Sequence, residues 1–385
     1  MVRVLHLHAG NLFGGVETYL LTLAKGQALL PQMQHEFALC FDDQLATELR
    51  SLGATVHQFN PVRSRYPWTV WTARSRLRQL LQARSFDVVL THSCWSQAMF
   101  GSIVKQQKHR LGFVCHDRLT GQHWIDRWAK RIVPDFSIVN SFYSQEALKT
   151  VYPQVQSEMI RYPIFAGAIP DRATVRAQIR STLSTPLDRV VIAQTCRLES
   201  WKGHRLLLSA LGQLKQVPNW EVWIAGGAQR SHETKYLESL KTQVEQLGIV
   251  DRVKFLRQRS DIPQLLAAAD VHCQPNTDGE PFGIAFIEAL YAGLPLVTTA
   301  IGAATEIVDQ TCGVLVPPGD PRAIAQALEQ LITDSKERDR LARGGFDRAN
   351  SLCHPVQQLT KLAEILNGIS VSDRRVDWVP KLTIH

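Results

Sequence analysis

The 385-residue sequence predicts an α/β protein of two doubly wound domains with parallel sheets, on three observations. Short β-branched or apolar runs alternate with helical patterns from the first residue, which is how parallel βαβ units read. A passage broken by prolines interrupts the alternation near the middle, and the same alternation then restarts. The length also exceeds what one hydrophobic core supports, at roughly 150 residues per domain.

In the first half, strands are expected at VRVLHLH (2–8), EFALCF (36–41), ATVHQF (54–59), FDVVLTH (86–92), LGFVCH (111–116) and FSIVNS (136–141). Amphipathic helices begin near Gly15, Asp43, Trp68, Trp95, Gly121 and Ser144. The turn-rich passage 151–175 closes this domain, taken as residues 1–168. The second domain, 169–352, restarts with RVVIAQTCR (189–197), WEVWIAGG (220–227), RVKFLR (252–257), DVHCQP (270–275), PLVTTA (295–300) and CGVLVP (312–317). Residues 321–334, 335–345 and 355–368 read as terminal helices and 371–385 as a loosely tied tail. The 353–385 segment is expected to pack back toward the first domain. Two such domains face each other across a cleft, and open sheets bind ligands beyond the carboxyl ends of their strands. Function is therefore sought in the loops that follow strands.

Composition bounds the chemistry. With 45% hydrophobic and 20% charged residues and no repeat or low-complexity tract, the chain reads as soluble and globular. No window approaches the ~18 apolar residues of a membrane span, and MVRVLHLHAG is too short and strand-like for a secretory signal. A cytoplasmic protein is expected. The seven cysteines are scattered without a CxxC pair, and most fall in expected strands, so they read as reduced core residues rather than metal ligands. A net charge of +8 favours anionic partners, whether nucleotides, phospholipid head groups or nucleic acid. No recognition module accompanies that charge, so nucleic acid is not expected.

Five strand-end loops carry candidate chemistry. In HAGNLFGGVETYL, Gly14 and Gly15 precede a helix and let backbone approach an anion at its positive end. The spacing is not GxGxxG and no acidic residue follows where a nicotinamide fold needs one. A glycine turn that only reverses the chain fits the same residues. In QTCRLESWKGH, Arg197 and Lys202 stand five residues apart at a strand end, a planar fork and a point charge that suit a diphosphate, or two solvated cations. Gly226 in IAGG leaves room for a ligand after the next strand. In TDGEPFGIAFIEALYAGLPLV, Glu280 falls in the loop, while the amides of Phe282, Gly283 and Ile284 head the helix that follows. Glu288 lies deeper in that helix on another face, where it can accept two hydroxyls as a ribose presents, or simply be a buried helical glutamate. His116, in LGFVCHDRLTG, can donate to a sugar hydroxyl or phosphate, or be a packed histidine with no nucleophile to serve.

In this order, these segments resemble the retaining glycosyltransferases of family four, over nearly the whole chain. The most specific part is EPFGIAFIEALYAGLPLVTTAIGAATEIV, which is similar to the family's Glu, seven residues, Glu motif with its trailing Gly-x-Pro and Glu-Ile-Val. GGVETYLLTLA, CRLESWKG and IAGG match three further family segments. The resemblance implies the GT-B fold of two Rossmann-like domains, with a nucleotide-sugar donor on the second and an acceptor on the first. It implies that Arg197 and Lys202 neutralise the donor diphosphate, that Glu288 holds the ribose hydroxyls, and that Glu280 sits by the transferred sugar. It places Gly283 and Ile284 on that sugar or its phosphates, His116 at the sugar site, Gly15 near the diphosphate, and the base near Arg257. Ala303 stands where many relatives carry a second glycine, which weakens the case for backbone contact there. No Asp-x-Asp motif ends a strand, in keeping with the family's usual independence of metal, so no cofactor is expected beyond the donor itself.

One surface suggests a further partner. Between Pro61 and Arg84 lie six arginines and no acid, with Trp68 and Trp71 among them, and HWIDRWAKRIV adds Trp124, Trp128, Lys130 and Arg131. Basic, Trp-bearing segments suit an anionic membrane surface, and a solvated basic face fits them equally. The expected function is a peripheral glycosyltransferase of the inner membrane face, moving a hexose to a glycan or lipid-linked acceptor in polysaccharide or glycolipid synthesis. The alternatives are a sugar-nucleotide-binding or membrane scaffold without turnover, and a nucleotide-sugar epimerase on the same fold, whose acid/base set is not found.

Overall fold

The computed structural model describes residues 1–372 apart from 168, 170 and 229. Most of the expected tail, from residue 373, lies outside the described residues. The chain divides into two compact units, residues 1–163 together with the described residues from Pro355 on, and residues 164–354.

The first unit runs β1 (Val2–His8), α1 (Gly15–Gly26), β2 (Met33–Leu39), α2 (Gln44–Ser51), β3 (Thr55–Gln58), α3 (Pro67–Ala83), β4 (Val88–Thr91), α4 (Cys94–Gln106), β5 (Arg110–Cys115), α5 (Trp124–Ala129), β6 (Phe136–Val139), α6 (Phe142–Leu148) and β7 (Ser157–Met159). Its seven strands are ordered β3-β2-β1-β4-β5-β6-β7 and every pairing is parallel. Strand periodicity divides the sheet's two faces: Leu5 and Leu7 join the core under α3, α4 and α5, so His6 points to the other face.

The second unit runs α7 (Arg172–Thr182), β8 (Val190–Thr195), α8 (His204–Gln213), β9 (Trp220–Ala225), α9 (Ser231–Leu247), β10 (Val253–Phe255), α10 (Ile262–Ala268), β11 (Val271–Gln274), α11 (Ile284–Tyr291), β12 (Leu296–Thr299), α12 (Ala304–Ile307), β13 (Gly313–Val316), α13 (Pro321–Thr333) and α14 (Ser335–Cys353). Its strand order is β10-β9-β8-β11-β12-β13, again all parallel. The last helix, α15 (Pro355–Ser372), belongs to the first unit. It buries Leu359, Leu362, Ala363 and Leu366, spaced to share one helix face, and Leu359 occupies the space a Cβ on Gly26 of α1 would need. Each such leucine stabilises the contact by about 1.5–3 kcal/mol.

Three expectations change. The turn-rich passage contains β7, and α7 begins within its last residues. Helix α7 has almost no apolar face, and arginines hold it instead. Arg172, Arg176 and Arg180 donate to the carbonyls of Ala267 and Ala268 at the end of α10, and Arg176 and Arg180 also pair with Asp270. That grip on a helix C-terminus is invisible to hydrophobic periodicity. The helix expected to stop at Gly345 continues to Cys353 as α14. Gly344 and Gly345 do not end it, because their missing side chains admit the carbonyl of Thr311 and the flank of Leu290.

Candidate active site

In the second unit the strand order reverses between β8 and β11, which is where an open parallel sheet offers a crevice for ligands. The loops after these two strands carry most of the candidate residues. Glu280 lies in the loop after β11, and Lys202 ends a short 3₁₀ turn after β8. Lys202 Nζ meets Glu280 Oε2 at 2.5 Å, and both side chains are mostly buried. The Lys202 ammonium also sits 3.9 Å from the centre of the Trp201 ring. Gln274 and Asn276 each donate to the same Glu280 oxygen at 3.3 Å. The carboxylate is therefore fixed by three donors from two loops, at a charged group that burial would otherwise penalise.

Backbone geometry makes this possible. Gly203, directly after Lys202, has φ +76°, and a Cβ there would fall 1.8 Å from the carbonyl of Pro275. The loops after β8 and β11 thus touch backbone to backbone, with Thr277 N donating to Trp201 O at 2.8 Å. Glu280 pairs with Gly302 in an isolated parallel bridge, where Gly302 has φ +65° and a Cβ would meet Glu280 N at 2.5 Å. Ala303 adopts φ −67° and donates from its amide to Glu280 O at 2.9 Å. Alanine fits that backbone, so the missing second glycine costs nothing here.

Helix α11 starts at Ile284, with Gly283 at its cap in the left-handed region, φ +98°. Phe282 lies ahead of the helix with its side chain buried, so its amide precedes the cap, and the helix's own first turn begins at Ile284. Glu288, one turn further on, is half-buried and has no hydrogen-bond or ion-pair partner among the described residues. Burial pushes its carboxyl up to about 7. Arg197 pairs with Glu199 at 2.9 Å and remains a third exposed at its side chain, separate from the Lys202–Glu280 pair. Gly226 directly follows β9 and lies against the neighbouring strand ends: a Cβ would fall 2.0 Å from Cys196 O, and its amide donates to Arg257 O at 2.9 Å. Arg257 itself has φ +56°, a strained conformation for a side-chain-bearing residue.

The remaining candidates lie in the first unit, where the strand order reverses between β1 and β4. Gly14 caps α1 with extended backbone and accepts from the amide and hydroxyl of Thr18 at 3.0 Å, and Gly15 opens the helix with its surface exposed. His116 follows β5 and is buried. Its Nε2 bonds to His92 Nδ1 at 2.8 Å and its Nδ1 to the Tyr162 hydroxyl, so neither ring nitrogen is unoccupied. A direct bond from this ring to a ligand replaces one of those partners. Nearby, His8 Nε2 meets Glu17 Oε1 at 2.7 Å at the mouth of the glycine loop.

Sequence reasoning missed Gln274 and Asn276, although polar residues closing a buried strand were the available signal. It also missed that the histidines of VRVLHLH and LTH reach one another. Among the described residues no cluster of three His, Cys, Asp or Glu is placed to hold a metal, and no helix is long and apolar enough to cross a membrane.

Residues 175–348 match the family described as glycosyl transferases group 1, and residues 14–157 match the glycosyl transferase 4-like domain. A D-inositol 3-phosphate glycosyltransferase of Salinispora tropica is 34% identical over 195 residues, covering 49% of this chain but only 40% of that relative's length. A GDP-mannose-dependent alpha-(1-6)-phosphatidylinositol monomannoside mannosyltransferase of Mycolicibacterium smegmatis is 26% identical and covers 79% of this chain and 83% of its own. The crystal structure of Anabaena HepE in complex with UDP and glucose superimposes with a TM-score of 0.83 at 25% identity, over 96% of this chain and all of that one. Two successive family domains, each on its own parallel sheet with its motifs at the strand reversals, place the chain in the group 1 glycosyl transferases, with the GT-B fold.

Proposed function

We propose that the protein transfers a hexose from a nucleoside diphosphate to a glycan or lipid-linked acceptor, with retention at the anomeric carbon. The observation that carries this is the buried Glu280, held by Lys202, Gln274 and Asn276 beside the head of α11. As the bond from the anomeric carbon to the diphosphate breaks, negative charge grows on the leaving oxygen, and Lys202, Arg197 and the amides of Gly283 and Ile284 neutralise it. The sugar gains oxocarbenium character, which the Glu280 carboxylate stabilises electrostatically, without forming a covalent bond. The acceptor attacks from the face the diphosphate leaves, and its hydroxyl proton passes to the departing oxygen. Glu288 accepts the ribose hydroxyls. In this reading Lys202 and Arg197 supply the positive charge a divalent metal would otherwise bring, so transfer is expected to continue in a chelator.

UDP-glucose is the first donor to test, because HepE, which was crystallised in complex with UDP and glucose, superimposes over nearly the whole chain. Thermal shift with UDP-, GDP- and ADP-sugars reads donor choice directly, since a bound donor stabilises the fold. A transfer assay with the selected donor should then show product from the wild type and none from Glu280→Ala. Donor binding with no transfer to any acceptor would favour a binding scaffold instead.

The acceptor reading extends to a membrane-bound lipid at an anionic surface, and its support comes from unit one. In a parallel sheet, helices α3 and α5 both begin at the carboxyl edge, and both pack with α4 on one face. At those starts Trp68, Trp71 and Trp124 are exposed by 63%, 73% and 48%. Arg63 and Arg65, just before α3, are exposed, as are Lys130 and Arg131, which follow the end of α5. Not every arginine of the segment is available: Arg74 donates to the carbonyls of Met99 and Ala98, and Arg84 pairs with the buried Glu36.

A further inference from the structure

Four histidines of the first unit form one buried chain across its sheet. His35 lies on β2 and His6 on β1, while His92 and His116 directly follow β4 and β5, so they come from four adjacent strands. His35 Nδ1 meets His6 Nε2 at 2.8 Å, His6 Nδ1 meets His92 Nε2 at 2.9 Å, and His92 Nδ1 meets His116 Nε2 at 2.8 Å. His116 Nδ1 completes the chain at the Tyr162 hydroxyl. Successive ring centres are 5.1 Å apart. Each link joins the Nδ1 of one ring to the Nε2 of the next, without exception.

That regularity has a consequence. Burial pushes all four imidazoles down, His35 to about 4 and His116 to about 3, so each is neutral at pH 7 with one N–H and one lone pair. His6, His92 and His116 use both nitrogens within the chain. A proton on one Nδ1 therefore forces a proton on the next, and only two arrangements satisfy every link: all Nδ1–H, or all Nε2–H. The other titratable groups facing the chain are His8, tied to Glu17 of α1, then Tyr19 of α1, which burial keeps protonated, and Asp117.

We propose that this chain fixes the tautomer of His116, with His6, His35 and His92 as positioning residues, and that all four rings rest as Nε2–H. Tyr162 decides the direction. A phenol is a stronger acid than a neutral imidazole N–H, so the hydroxyl donates to His116 Nδ1 and each Nε2–H then donates onward toward β2. His35, three strands from β5 and so about 14 Å across the sheet, thereby controls which His116 nitrogen carries the proton. The functional consequence rests on the reading of His116 as a residue of the sugar site. A sugar hydroxyl that takes the place of Tyr162 at Nδ1 meets an acceptor, so His116 receives a hydrogen bond from the sugar and does not donate one.

The test is long-range ¹⁵N–¹H correlation on protein with ¹⁵N-labelled histidine. The expected result is a protonated Nε2 and a bare Nδ1 in all four residues, unchanged between pH 6 and pH 8. An Nδ1–H form at His116, a mixture in the wild type, or an imidazolium overturns the proposal. His35→Leu leaves the His6 Nε2 proton without an acceptor and should bring the Nδ1–H form of His116 into the spectrum. His35→Asn keeps an amide where Nδ1 stood and should restore the wild-type pattern. In a transfer assay His35→Leu should lower kcat about tenfold with KM for the donor unchanged, and His35→Asn should recover it. A His116 signal indifferent to His35→Leu in a folded variant sinks the chain. Spectra as expected from a protein that transfers nothing would instead sink only the transferase reading.

Discussion

At its strand reversal the second unit aims charge and bare backbone at whatever lies beyond the strand ends. Lys202, Glu280, Glu288 and the head of α11 gather there, and Glu288 has no partner among the described residues. The first unit, with a parallel sheet wound in the same manner, turns its strand-end polar groups on one another. His92, His116 and Tyr162 are closed into hydrogen bonds, and His8 is tied to Glu17. On the proposed reading, the second unit's groups neutralise a ligand's charge, while the first unit's strand-end groups hold one another in fixed orientation. The same doubly wound sheet would then serve recognition of charge in one unit and control of proton placement in the other, according to the residues at the reversal.

The largest effect is expected where that contrast is sharpest. Glu280→Gln keeps the size of the side chain and removes its charge, leaving Lys202 without its anion. Transfer should fall on the order of 10²- to 10³-fold, with donor affinity changed far less. Circular dichroism should show the fold intact. If turnover survives this change while an equally conservative change at His8 abolishes it, the division of labour is the reverse of the one described. Next in size is Gly203→Ala. The new Cβ has no room beside Pro275 O and the backbone cannot keep φ +76° without strain. A loss of about 3 kcal/mol in denaturant unfolding, together with weakened donor binding, is the expected outcome. A variant as stable as wild type would mean that the loops after β8 and β11 leave room for a side chain between them.

How much of this was legible in the sequence follows the same division. The second unit's site was readable because each part has a chemical signature at fixed spacing: Arg197 and Lys202 at a strand end, and Glu280 and Glu288 eight residues apart. Of the glycines where backbones meet or turn, those at 226 and 283 stood out in the sequence, while the close approaches at Gly203 and Gly302 emerge only in the structure. The alternation of strands and helices was readable because burial on both sheet faces imposes apolar runs. What stayed hidden depends on contacts between distant segments. The histidine chain joins residues 29, 86 and 24 positions apart in sequence, and a histidine in a strand gives no hint of its neighbour in the next. Helix α7 was obscured because arginines, not leucines, hold it, and Gly344 and Gly345 misled because close packing and helix ends demand the same residue.

A smaller effect tests the unpartnered carboxyl of the second unit. Burial raises Glu288 from its ordinary 4.5 to about 7, so the folded protein holds that proton more tightly than the unfolded chain. Its stability contribution is undiminished below pH 4.5 and declines as pH rises through 7. Glu288→Gln removes the titration: it should match the wild type near pH 4 and exceed its stability at pH 8 by about 1–3 kcal/mol, discounted for partial exposure. Donor binding should run the other way. Ribose hydroxyls donate to the carboxylate form, so affinity in the wild type should rise between pH 6 and pH 8. Calorimetry should find that dependence gone in Glu288→Gln; an unchanged profile would remove Glu288 from the donor site.

The smallest effect concerns the outer surface of the first unit, where large aromatic side chains are exposed. Trp68 and Trp71 project from the start of α3, with Arg63 and Arg65 just before them. Each basic residue near an anionic surface contributes about 1 kcal/mol, and the attraction weakens with salt. Arg63→Ser with Arg65→Ser should therefore lower binding to vesicles containing phosphatidylglycerol by on the order of tenfold, with no change on neutral vesicles. Trp68→Ser with Trp71→Ser should weaken binding to both, because it removes apolar insertion and leaves the charge in place. Arg74→Ser is the control that separates surface from scaffold. Its guanidinium is spent on the carbonyls of Met99 and Ala98, so it should lower the unfolding temperature and leave the salt dependence of vesicle binding as in the wild type. Sedimentation that ignores anionic lipid altogether would return this face to the role of a solvated helix.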